Sequence, residues 1–226
     1  MPSHQEEPEA QTGLRQPEGS PEAERLASLI NQIDALLPQT QCQRCGYTAC
    51  RPYAEAIAEG RALINRCPPG GHLGIAKLAA ITGMPEIPLD PDCGQEGPIQ
   101  TAVIDPQRCI GCTLCIASCP VDAIIGGFKQ LHQVIAEDCT GCGLCLPPCP
   151  VDCIDMVVPR PAVVWDADRA SAARGRFLAR QARLTQPTKQ ALKDKPGITQ
   201  KQKAILAAAR ARAAQKKTAR SRAPLR

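Results

Sequence analysis

Cys109-Ile110-Gly111-Cys112-Thr113-Leu114-Cys115-Ile116-Ala117-Ser118-Cys119-Pro120-Val121-Asp122-Ala123-Ile124 is answered thirty residues later by Cys139-Thr140-Gly141-Cys142-Gly143-Leu144-Cys145-Leu146-Pro147-Pro148-Cys149-Pro150-Val151-Asp152-Cys153-Ile154. Both stretches read Cys-x2-Cys-x2-Cys-x3-Cys-Pro, and the likeness runs past the cysteines into Pro-Val-Asp-x-Ile. A duplicated supersecondary unit with approximate twofold symmetry accounts for such an echo. In each copy, proline ends the turn and fixes the direction in which the fourth cysteine leaves.

This spacing is the bacterial two-cluster ferredoxin run, in which three close thiolates hold one iron–sulfur cube and the fourth crosses to the other. It assigns Cys109, Cys112, Cys115 and Cys149 to one cluster, and Cys119, Cys139, Cys142 and Cys145 to the other. Zinc is the competing metal. Zinc sites, however, usually pair two Cys-x2-Cys arms across a longer gap, and two copies with a terminal Cys-Pro fit that poorly. Loop backbone suits the cluster reading, because its N–H groups can point at the sulfurs and stabilise their negative charge.

A further set, Cys42-x2-Cys45-x4-Cys50-x16-Cys67, lies upstream. Four thiolates within one helix-turn-helix span suit a third cubane cluster or a tetrahedral zinc, since both accept them. Cys93 and Cys153 are left over. Cys153 takes the place that Ala123 holds in the first copy and reads as a small buried residue, while Cys93 reads as an unpaired thiol. His132 reads as a packed or surface residue rather than a ligand. There is no nucleophile–base pair, and Gly70-Gly71-His72-Leu73-Gly74 lacks the lysine of a phosphate loop. Bond-making catalysis by this chain alone is therefore not expected.

Composition agrees with metal-assisted folding. Aromatic residues are only 2% of the 226, so large ring-filled cores are not available. Met1–Ser20 is polar and lacks the apolar stretch of a secretory signal, so the fourteen cysteines point to a reducing, cytoplasmic setting rather than to disulfides. No run approaches the roughly eighteen apolar residues of a membrane span. Charge is strongly polarised. Residues 169–226 hold 17 Lys or Arg and one acid, a balance of +16, whereas the other 168 residues hold 10 basic and 21 acidic side chains, a balance of −11. The acidic body should repel nucleic acid and favour a basic docking partner. The basic tail suits peripheral contact with an anionic membrane, and the absence of aromatics after Phe177 leaves it no platform for base stacking.

The expected fold class is α+β: a small helical four-Cys domain, then the duplicated two-cluster domain, then a disordered or helical basic tail. The boundaries read as 1–20 disordered, 21–85 helical, 86–99 linker, 100–160 two-cluster domain and 161–226 tail. Ser20 and Pro21 start a first helix that Pro38 stops. A second begins near Arg51-Pro52, and a third runs from about Gly74 to Ile81. Short strands are expected at Ala102–Ile104, and near Ile124–Ile125 and Leu131–Ile135, with each cysteine loop between a strand and a helix. Residues 200–217 could form a marginal helix. Everything from Arg169 onward is too polar to complete a core, so its deletion should leave the cysteine sets intact.

The stretch Leu36-Leu37-Pro38-Gln39-Thr40-Gln41-Cys42-x2-Cys45-Gly46-Tyr47-x2-Cys50-Arg51-Pro52-Tyr53-Ala54, with Cys67-Pro68-Pro69-Gly70-Gly71 and both cysteine repeats, resembles the B subunit of the Rnf/Rsx electron-transport complexes over about residues 25–158. The resemblance implies a [4Fe-4S] cluster on Cys42, Cys45, Cys50 and Cys67, hence three [4Fe-4S] clusters in all. It also implies single-electron relay to redox partners, other Rnf-like subunits among them. The polar start, where that family has a membrane helix, leads to the expectation of a soluble variant, acting as a free polyferredoxin or a peripheral subunit at the inner membrane. The rival reading is a redox-sensing or nucleic-acid-associated iron–sulfur protein anchored by its basic tail.

Overall fold

The structure, a computed structural model, describes residues 20–185; the expectations for residues 1–19 and for a helix at 200–217 fall outside them. The first helix, α1 (Pro21–Leu36), starts as expected: the Ser20 hydroxyl accepts the Ala23 N–H at 3.2 Å, and proline occupies the first turn. α2 (Cys50–Ala58) and α3 (Gly71–Thr82) follow, with α3 beginning three residues earlier than periodicity indicated, at the Gly-Gly turn. The three helices bury Ile33, Tyr53, Ile57, Ile64 and Leu78 in one small core that also includes Cys45 and Cys50. Tyr53 supplies the tie that a poor aromatic content makes scarce. Its hydroxyl donates to the Leu63 carbonyl at 2.8 Å and accepts the Arg66 N–H at 3.0 Å, holding the loop that delivers Cys67.

The second core is built on two small antiparallel sheets. β1 (Thr101–Ile104) pairs with β4 (Ile154–Val157), in register from Thr101 opposite Val157 to Ile104 opposite Ile154. β2 (Ile124–Ile125) pairs with β3 (Gln133–Val134). β4 was not expected from its own composition, although Ile154 is the counterpart of Ile124 and the echo pointed to it. Each sheet joins the strand before one cysteine loop to the strand after the other, so neither repeat can complete its own sheet. The first loop leads into α4 (Leu114–Ser118), but the second is followed only by turns. Pro147 and Pro148 explain the difference, because they remove N–H donors where the matching helix would need them.

The largest correction concerns the chain after Arg169. α5 (Ala167–Thr185) buries Ala170, Ala173 and Arg180, and three of its arginines reach acids of the body. Arg174 pairs with Asp34 of α1 at 2.6 Å, Arg176 pairs with Asp138, and Arg180 reaches Asp122 and the Ala117 carbonyl, both at 2.5 Å. The Trp165 indole N–H donates to the Pro38 carbonyl at 2.8 Å. A polar composition thus packs here by ion pairs to acids of the body, which an apolar count does not register. The 86–99 segment, read as a linker, is irregular apart from one 3-10 turn at Pro91–Cys93, whose Cys93 is buried.

Candidate iron–sulfur centres

The cysteine loops take their shape from backbone conformations that few residues tolerate. Gly111 and Gly141, at the same place in the two repeats, have φ of +68° and +69°. A Cβ on Gly111 would stand 2.6 Å from the backbone of Gln130, and one on Gly141 would stand 2.4 Å from the Gln100 carbonyl oxygen. Both positions require glycine twice over, for the left-handed turn and for the close backbone neighbour. Asp122 and Asp152 are likewise paired by the repeat at φ of 54° and 47°, just after each Cys-Pro-Val.

These turns bring the cysteines into two tetrads. One enclosed cavity is lined by Cys119, Cys139, Cys142 and Cys145, together with Ala102, Val121, Ile124 and Met156. The other is lined by Cys109, Cys112, Cys115 and Cys149, together with Cys153, His132 and Ile104. Each tetrad takes three residues from one repeat and the fourth from the other. Backbone donors reach the crossing sulfurs, with Ala123 N–H 3.2 Å from Cys119 Sγ and Cys153 N–H 3.4 Å from Cys149 Sγ.

The upstream cysteines gather at the edge of the helical core. Cys50 opens α2, where the aligned N–H groups favour negative charge, and Cys67 precedes α3. Cys45, Cys50 and Cys67 each lie within electrostatic range of Cys42, and Cys67 feels Cys50 and Cys45 as well. The Gln41 carboxamide oxygen accepts the Cys50 N–H at 2.9 Å, and Gln41 in turn donates to Gln39, which donates to Asp34. A buried polar chain therefore ties the first cysteine loop to α1.

Burial raises most of these thiols. It pushes Cys142 up to about 11 and Cys50 and Cys145 up to about 12, and it also raises Cys45, Cys67, Cys115 and Cys119. Repulsion from neighbouring thiolates adds to the effect at Cys50, Cys67 and Cys145. Thiols raised in this way stay protonated unless a bound cation stabilises the thiolate. Among the described residues no group of three or more His, Cys, Asp or Glu closes on a single ion. Four thiols around an enclosed apolar cavity, with N–H groups aimed at sulfur, fit an iron–sulfur cube.

Two residues outside the twelve gain a place in this chemistry. Cys153 Sγ lies 3.5 Å from Cys149 Sγ, and its thiol is pushed up to about 12 by burial and by that neighbour. His132 is buried, and its Nδ1 lies 3.2 Å from Cys115 Sγ. A histidine just ahead of a two-residue strand gave no signal of this; its alignment with Ala102 across the thirty-residue repeat was the available clue.

The seam between the helical domain and the second core lies beside two cysteine loops. The Thr140 hydroxyl, next to Cys139, donates to the Thr40 carbonyl, two residues before Cys42, at 2.9 Å. No helix among the described residues is long and apolar enough to cross a membrane.

Comparison with known proteins bears on both regions. The model of a 4Fe-4S dicluster domain matches residues 102–156, and that of an Fe-S cluster family matches residues 37–69. The chain is similar to the B subunit of the ion-translocating oxidoreductase complex from Thiobacillus denitrificans, 60% identical over 121 residues, which is 54% of this chain and 61% of that protein. Its similarity to the same subunit from Hahella chejuensis is 54% over 155 residues, covering 67% of this chain and 78% of the relative. For Edwardsiella ictaluri the figures are 55% over 139 residues, with 61% and 72% covered. The chain thus spans about three fifths to four fifths of the length of these relatives.

Proposed function

Since the chain belongs to the family of the B subunit of ion-translocating oxidoreductase complexes, we propose that it is an iron–sulfur electron carrier with three [4Fe-4S] clusters, working against other subunits of an Rnf-like complex. The ligands are Cys42, Cys45, Cys50 and Cys67 for the first cluster, Cys109, Cys112, Cys115 and Cys149 for the second, and Cys119, Cys139, Cys142 and Cys145 for the third. The observation that carries this reading is the pair of cavities, each lined by the first three cysteines of one repeat and the Cys-Pro cysteine of the other, with Cys153 as a fifth cysteine in one of them.

Bound clusters supply one-electron exchange at low potential. The chain's residues do the rest. The cysteine thiols give up their protons to hold metal, the Ala123 and Cys153 N–H groups stabilise charge on the crossing sulfurs, and the apolar walls exclude water. The Thr40–Thr140 seam places the upstream loop against the Cys139 loop. That arrangement favours an order in which the Cys119/139/142/145 set stands between the other two.

The basic tail serves peripheral attachment in this reading. Arg174, Arg176 and Arg180 are engaged with acids of the body, which leaves residues 186–226, with 12 basic side chains and one acid, to meet an anionic lipid surface or an acidic protein partner. No observation favours nucleic acid.

Anaerobic reconstitution followed by iron and acid-labile sulfide analysis tests the cluster count. About twelve of each per chain are expected, four for each cubane set. About eight of each with one zinc would remove the upstream cluster and leave a two-cluster carrier.

A further inference from the structure

We propose that His132 is a hydrogen-bond donor to the sulfur of Cys115 that sets the potential of the Cys109/112/115/149 centre above that of its repeat-related partner. The inference rests on the cluster reading above and adds an inequality between two centres that the cysteine pattern alone makes equivalent.

Its first support is the ring's position. His132 is 5% exposed, lines the cavity of this tetrad, and holds Nδ1 3.2 Å from Cys115 Sγ. Its Nε2 is buried and has no hydrogen-bond partner among the described residues. That orphan decides the tautomer. A proton on Nε2 would bury an unpaired donor and turn the Nδ1 lone pair toward a charged sulfur. A proton on Nδ1 makes a charge-assisted bond to sulfur and leaves only an acceptor unpaired.

The second support is the space made for the ring. Gly126, at φ +143°, faces His132 so closely that a Cβ there would stand 2.5 Å from Cδ2 of the imidazole. The glycine lets the backbone at Leu131 and His132 approach, and the ring packs against it.

The third is the repeat itself. The residue thirty positions before His132 is Ala102, which is buried and lines the other cavity. A methyl group thus stands where its twin carries an N–H donor. Hydrogen bonds to cluster sulfurs stabilise the more negative, reduced state and raise the potential. The two centres are therefore poised unequally, and an electron on the pair resides preferentially beside His132.

The test uses the full iron-loaded chain, with potentials read for each centre by EPR-monitored titration. His132→Phe keeps water out but removes the donor, and should shift the one-electron equilibrium of one centre alone about tenfold toward the oxidised form, about 59 mV. His132→Asn, whose amide can reach the same sulfur, should recover most of that shift. If both variants carry full iron and sulfide and neither moves a potential, or if all centres move together, the assignment is wrong. A wild-type measurement covers the case in which the variants do not fold. With 15N-histidine in the chain, pulsed EPR of the reduced protein should show nitrogen coupling to one cluster; its absence from a fully loaded protein overturns the proposal. A wild-type chain with no cluster on the Cys109 set would instead remove the cluster reading from this cavity, and this inference with it.

Discussion

Thr140 donates its hydroxyl hydrogen to the carbonyl of Thr40 across 100 residues of sequence, at 2.9 Å and fully buried. Each threonine sits beside a cysteine of a different set, so one hydrogen bond fastens two cysteine loops together. Replacing Thr140 with valine keeps the shape and strands the Thr40 carbonyl. The expected loss is about 1–3 kcal/mol for a buried acceptor left without its donor, measured by urea unfolding of the iron-loaded protein. A change within error would mean that water repairs the seam.

The ion pairs of α5 predict where the chain can be cut. Ending it after Thr185 should leave iron content and unfolding midpoint unchanged. Ending it after Asp166 removes Arg174 and leaves the buried Asp34 carboxylate with the Gln39 amide and, as its charged partner among the described residues, Arg51 at 3.8 Å. Arg174→Met in the full chain isolates that pair. About 1–3 kcal/mol should be lost, less than for a fully buried pair because the arginine is partly exposed and screened. Equal midpoints for the two truncations would show that α5 only rests on the body.

Cross-ligation between repeats can be read from a single cysteine. Cys119→Ser changes the first repeat in sequence, yet its sulfur lines the cavity of Cys139, Cys142 and Cys145. Spectra should therefore lose the centre of the second loop and keep that of the first, with about four of twelve irons gone or labile. Damage confined to the Cys109 centre would place Cys119 in the wrong tetrad.

Metal loading should depend on pH in a definite direction. The Cys142 thiol lies at about 11 and those of Cys50 and Cys145 at about 12, raised by burial from an ordinary 9.0. These groups are protonated at neutral pH, so iron must displace their protons. Loading at limiting iron should rise between pH 7 and 9, with each such thiol contributing about a tenfold gain in apparent affinity per pH unit. The same shift works against the metal-free fold in alkali. The stabilisation is complete below the unfolded value near 9 and is lost as pH rises through 11 to 12. Iron competition against a chelator at several pH values, and urea midpoints of the metal-free chain, measure the two effects.

Much of this molecule was legible in its residues. The two cysteine tetrads, the helix start at Ser20-Pro21 and three of the four strands follow from spacing, capping and alternation, because those signals are local. The fourth strand was hidden for a physical reason. Ile154–Val157 carries Asp155, a residue depleted in strands, so it shows a weaker signal in its own composition than Thr101–Ile104, with which it pairs.

The sequence by itself marked the candidate metal ligands, since four thiols at such spacings have few other uses, and it determined the family. Tertiary structure alone decided how the sets are arranged and made unequal. The Thr40–Thr140 bond, the docking of α5 on Asp34, and the His132 ring against Cys115 each join residues far apart in the chain. A buried hydrogen bond or ion pair gains its strength from the low dielectric around it, and that surrounding exists only once the chain has folded.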